Sequence, residues 1–128
     1  MANNIRGGVG RSHTVYASAA RTATPDTEEL ELPGGVAKGY FVIDCTAVTA
    51  TPSVTFLIEG VDRSSGKTWT LLQSAAITAT GTTVLRINDA LTAAANTIAK
   101  ESLPPVVRVT ATHADADSIT YSVGAHFS

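Results

Sequence analysis

The sequence predicts an all-β protein: a single antiparallel β-sandwich or jelly-roll-like domain with an extended N-terminal arm. Three observations point there. Twenty Ala and nineteen Thr make up 39 of the 128 residues, and β-branched Thr loses χ1 freedom in a helix but packs well on a pleated sheet. Apolar and polar residues alternate with period two in several short runs, the mark of half-buried strands. Turn-forming clusters separate those runs at the spacing of a sandwich or barrel, with no amphipathic helix of note between them. A chain of 128 residues suits one domain that buries its core without disulfide staples.

Residues 1–27 read as the arm. Arg6, Arg11 and Arg21 fall in a stretch with no acidic residue before Asp26, and it has few large apolar residues beyond Ile5, Val15 and Tyr16. The sign then reverses with Asp26, Glu28, Glu29 and Glu31. A terminus of this composition is either a disordered tail or an arm that orders on a neighbouring subunit.

Residues 28–128 read as the sandwich. Leu30 and Leu32 alternate with Glu29 and Glu31 in a short strand that Pro33-Gly34-Gly35 ends. Gly39 to Val48 is a more buried strand, and Thr51-Pro52 breaks the chain after it. From Ser53 to Val61, Val54, Phe56 and Ile58 share one face while Thr55, Leu57 and Glu59 share the other. The loop Asp62 to Lys67 returns the chain as a hairpin partner from Thr68 to Gln73. Further strands are expected around Ile77 and over Thr82–Ile87. Residues 88–105 read as a long crossing connection, with a short helical turn through Leu91, Ala94, Ala95 and Ile98 as the alternative, ended by Pro104-Pro105. Val107, Val109 and Ala111, then Ile119, Tyr121, Val123 and Ala125, read as the two strands of the clearest hairpin, joined by a turn over 113–118. Trp69, Phe56 and Tyr121 are the large residues expected in the core.

Composition removes several function classes. Nine basic against eleven acidic residues, a net charge of -2 and a pI near 5.8 disfavour a basic nucleic-acid binder. The one cysteine, Cys45, excludes an intrachain disulfide and a multi-cysteine zinc site. No apolar run approaches the ~20 residues that span a bilayer, and the N-terminus has no apolar signal region. Gly60 to Thr68 resembles a phosphate-binding loop, but five residues separate Gly60 from Gly66 where the motif has four, and strand-like sequence comes after it where a helix is required. Asp115 and Asp117 fall short of the ligand number that Ca²⁺ takes and read as a plain turn. His13, His113 and His126 have no zinc-pair spacing. Cys45 has no basic neighbour in sequence and reads as a buried thiol. No catalytic, cofactor or metal residues are assigned, and a non-enzymatic protein is expected.

Three stretches carry a family resemblance: Asp44 to Gly60 (DCTAVTATPSVTFLIEG), Leu71 to Ile87 (LLQSAAITATGTTVLRI) and Val107 to Ala125 (VRVTATHADADSITYSVGA). Together they resemble small structural proteins of tailed bacteriophages, in particular capsid decoration (cement) proteins, over residues 39–125. The resemblance implies a virion protein on the capsid exterior, a homotrimer that binds the major capsid protein shell and stabilises the head. It implies no cofactor, no membrane and no nucleic acid. On that reading Arg6, Arg11, Tyr16, Arg21, Glu28, Glu29 and Glu31 are the candidate capsid and subunit contacts. A neck or tail component is the alternative. A carbohydrate-binding module comes third, because most of the seven aromatic residues are expected in the core.

Overall fold

In the computed structural model, residues 11–128 are described in full and residues 2–4 by their backbone. Ten strands are formed among the described residues: β1 (Ala2–Asn4), β2 (Ser12–Arg21), β3 (Glu28–Glu31), β4 (Gly39–Val48), β5 (Val54–Val61), β6 (Thr68–Gln73), β7 (Gly81–Ile87), β8 (Ile98–Ala99), β9 (Val106–His113) and β10 (Ile119–Phe127). Among the described residues there is no α-helix. Two five-stranded sheets, ordered β1-β3-β9-β5-β6 and β2-β10-β4-β7-β8, pack together. The all-β sandwich is thus present.

Alternation builds the core. Every second residue of β10 is buried, from Ile119 through Tyr121, Val123 and Ala125 to Phe127, and β4 contributes Phe41, Ile43 and Cys45. The other sheet presents Leu30, Val54, Phe56, Ile58, Val107, Val109 and Ala111. Tyr121 sits at the centre, its ring edge-to-face with Phe56 at 5.2 Å and with Tyr16 at 6.5 Å between centroids, the arrangement that aromatic quadrupoles prefer.

The structure corrects three expectations. First, residues 12–21 are not an arm but β2, which pairs antiparallel with β10 along the second sheet. Two register shifts give β2 two extra residues against β10, so the adjacent Val15 and Tyr16 are both buried, at 4% and 7% exposure. Second, β9 and β10 are not a hairpin. They lie in opposite sheets, and the link between them runs beside the β4–β5 link. Thr49 N–H donates to Ser118 O at 2.9 Å, Ala114 N–H to Ser53 O at 2.9 Å, and Thr51 N–H to the Asp117 carboxylate at 3.2 Å. These turn groups bond to another sheet-crossing link instead of closing a ladder on themselves.

Third, Trp69 is 44% exposed, opposite Gly60 in the β5–β6 hairpin. A register shift there gives β6 an extra residue, so that Leu71 and Leu72 are both buried. The 88–105 segment crosses between the sheets as expected, without the alternative helical turn. It makes a tight turn over Ala94 to Ile98 and adds β8 parallel to β7. Ser74, a buried polar residue (2% exposed), is satisfied: its hydroxyl accepts from Phe56 N–H at 2.9 Å and donates to Ala75 O at 2.8 Å.

Candidate functional site

The residues expected to contact other subunits divide into two groups with partners inside the chain, and a remainder. Tyr16 and Arg21 meet beside Tyr121. The Tyr16 hydroxyl lies 2.8 Å from Asp26 O and 3.2 Å from Val109 O, tying β2 to the opposite sheet. Burial, reinforced by the nearby Glu28 carboxylate, pushes its phenol up to about 12. The Arg21 guanidinium donates to Ala17 O at 2.6 Å, Tyr121 O at 2.8 Å and Ala19 O at 3.2 Å. It also lies 4.4 Å from the Tyr121 ring centroid. Arg21 therefore fills the bulge of β2, where extra residues leave carbonyls off the ladder.

Glu29 and Glu31 lie on β3, in the outer part of the first sheet. Arg63 bridges both, at 3.2 Å and 3.3 Å, and Arg108 reaches Glu29 at 3.2 Å. Glu29 and Glu59 both flank Arg108 in register, so charge alternates across the strands. Glu28 is partly exposed beside them. Arg11 is partly exposed at the head of β2, and Arg6 lies outside the described residues. Thus Arg21 does not meet acidic side chains, and the Glu29 and Glu31 carboxylates meet basic residues distant in sequence.

Sequence patterning carries no sign of a row on the second sheet that runs from Ser12 through His126 and Tyr40 to Arg86 in direct register. The Ser12 hydroxyl and His126 Nδ1 are 2.9 Å apart, and the Tyr40 and His126 rings are 4.9 Å apart and tilted by 31°. No carboxylate orients this His and no oxyanion cradle adjoins it among the described residues, so the pair lacks the parts of a nucleophilic triad. His113 Nε2 is 3.0 Å from the Tyr121 hydroxyl. Desolvation, with help from Arg21, holds His113 below its ordinary range. Burial likewise pushes the Cys45 thiol up, away from thiolate chemistry.

A groove of about 600 Å³ opens beside Trp69, lined by Val61, Asp62, Arg63, Ser64 and the 104–106 segment. A Cβ built on Gly60 would lie 2.3 Å from Trp69 Cζ2 and 2.5 Å from Cε2, so the indole rests directly on the Gly60 backbone. Asp62 is fixed by the loop itself: it accepts from Ser64 N–H at 3.0 Å and from the Ser65 hydroxyl at 2.8 Å. The Ser65 hydroxyl first, and then the Ser64 N–H, hold its carboxyl below the usual carboxylate range. The glycine-rich stretch is thus a hairpin loop, with Asp62 N–H bonded to Lys67 O at 2.8 Å.

Among the described residues no three His, Cys, Asp or Glu side chains cluster as metal ligands, and no helix is long and apolar enough to cross a membrane. The outer side of β2, which pairs with no other strand among the described residues, is the other feature of note. This edge strand has no proline and no Asp, Glu, Lys or Arg between Ser12 and Ala20. No protein-family model, curated protein or solved structure matches the chain.

Proposed function

We propose that this protein is a virion structural protein: a capsid decoration protein that binds the major capsid protein shell from outside and stabilises the head as a homotrimer. The observation that carries the reading is the free edge of β2. Sandwich proteins that stay monomeric blunt such edges with charge, proline, bulges or short strands; β2 runs ten residues with no proline and no charge before Arg21 at its end, and its bulges are taken up against β10. An extended edge of this kind serves strand pairing with another chain. The bland Thr, Ser and Ala side chains along it allow close approach. Many modest contacts, repeated over a shell, then add to a large stabilisation by mass action.

The role needs no catalytic step and no cofactor. Contact falls to the β2 edge and to Arg11 at its head, because Arg21, Glu29 and Glu31 already have partners within the chain. The test is co-sedimentation with phage shells that lack the protein, comparing the native chain with Ala17→Lys, a charge on the exposed strand edge. Loss of shell binding with an unchanged melting curve supports the reading; equal binding by both overturns the edge assignment. The ratio to major capsid protein in whole particles separates shell decoration from a neck or tail ring, which would be far rarer.

A further inference from the structure

We propose that Trp69 is the platform of a saccharide-binding site, with a pyranose ring stacked on the open face of the indole. Such a site stands wherever the protein sits in an assembly. Trp69 is 44% exposed although it is the largest apolar side chain in the molecule, and a strand glycine is placed under it. Glycine weakens a strand interior and marks sites of close approach. Here it lets the ring lie flat, because any Cβ at residue 60 would overlap the indole. The ring is held from one side and left open on the other.

The surroundings suit a sugar. Val61, Pro104, Pro105 and Val106 make apolar walls, and Asp62, Arg63 and Ser64 make a polar rim. A pyranose presents an apolar C–H face for stacking and hydroxyls around its perimeter. The ionised Asp62 carboxylate, already oriented by two hydrogen bonds, is an acceptor for such hydroxyls, and the half-exposed Arg63 guanidinium, whose Nη2 bridges Glu29 and Glu31, has its other N–H groups to donate. A groove of about 600 Å³ falls in the range of small-ligand sites and holds one or two sugar rings. An extended peptide fits less well. Further along β6 the 93–101 segment faces the strand across a groove, and the Asn96 side chain donates to Gln73 O at 3.0 Å, so the carbonyl at the end of the strand is already taken.

Trp69 is the sole tryptophan, so its fluorescence reads the site directly. The experiment titrates the full chain with methyl glycosides of glucose, galactose, mannose and N-acetylglucosamine, and with their disaccharides. A saturable emission change is expected for at least one of them, with a dissociation constant on the order of 1 mM for so small a ligand. Saturation-transfer NMR then compares variants. Trp69→Ala loses about tenfold or more in affinity, and Trp69→Phe keeps part of it. Gly60→Ala, which lifts the ring from its seat, also loses binding while the melting curve shows the domain folded. No emission change with any sugar overturns the proposal. So does undiminished binding by Trp69→Ala, or an emission shift that follows protein concentration without sugar, which would assign the platform to a second copy of the chain.

Discussion

Removing residues 1–24 should unfold the domain. The deletion takes out β2 and with it the buried side chains of Val15 and Tyr16, each worth about 1.5–3 kcal/mol of burial. It also removes seven paired positions along β10 and the Arg21 contacts over Tyr121. The burial loss alone is about 3–6 kcal/mol, and uncovering β10 opens one side of Tyr121, Val123 and Ala125. At roughly 0.05–0.15 kcal/mol per residue, 128 residues give a total stability of about 6–19 kcal/mol, so burial alone takes from about a sixth to all of the margin, and the lost ladder and Arg21 contacts add to it. The assay is thermal melting by circular dichroism, with ¹H–¹⁵N NMR dispersion as a second probe. The control deletes residues 1–10 only, which leaves β2 whole and should keep a cooperative transition. A 1–24 deletion that melts cooperatively within a few degrees of the full chain would refute the placement of β2 as an integral strand.

Other outcomes rest on single contacts. Arg21→Met keeps the aliphatic stem but removes the carbonyl bonds and the charge over Tyr121, a loss of about 1–3 kcal/mol. With about 0.27 kcal/mol/K of unfolding entropy for a chain this long, the melting temperature should fall by about 4–11 °C; no change would contradict the bulge-filling role. Two glycines should behave oppositely. Gly39→Ala meets backbone at His126 O, 2.8 Å from the new Cβ, and should destabilise by about 1–3 kcal/mol. Gly60→Ala meets the Trp69 ring and no backbone within its nearest contacts and should shift fluorescence more than stability. The pH profile should fall at both ends. The folded-state pKa of Tyr16 is raised from 10.0 to about 12, so its contribution is complete below pH 10 and disappears as pH rises toward 12. It is worth on the order of 2–3 kcal/mol before screening by solvent, which lowers it. Tyr16→Phe should flatten that limb in alkaline melts. His113 is held below its ordinary 6.5, so its contribution is complete above that pH and is lost as pH falls through the lowered value. His113→Gln should flatten the acid limb; an unchanged slope would count against this pairing.

The strands that read most clearly in sequence are those whose alternation is unbroken or whose ends are marked by turns. Gly39–Val48 and Thr68–Gln73 have the expected bounds, because their turn residues and their buried face agree. β2 is hidden in the sequence for a physical reason. Its two large apolar residues are adjacent, and only the bulges against β10 make both of them buried, so no period-two signal survives. The β9–β10 link misleads because a turn that closes a hairpin and a turn that crosses between sheets use the same Asp and Ser chemistry. The partner decides, here the distant loop holding Thr49 and Thr51.

The candidate site is less legible still. Arg63 and Arg108 meet Glu29 across intervals of sequence far longer than any local motif. Charge counting sees the acidic run but not its internal neutralisation. Size alone puts Trp69 inside, and only its pairing with Gly60 puts it at the surface. Exposure of Trp69 and of Tyr40, 43% exposed, also removes the compositional argument against a sugar-binding role.

A cryo-EM map of the native particle that contains this chain bears on the proposed virion role without intermediates. Decoration requires trimeric density repeated over the exterior of the icosahedral shell, with the β2 edge in contact with a neighbouring chain. Density confined to a ring on the portal or tail axis, or a particle in which β2 faces open solvent in every copy, would contradict it.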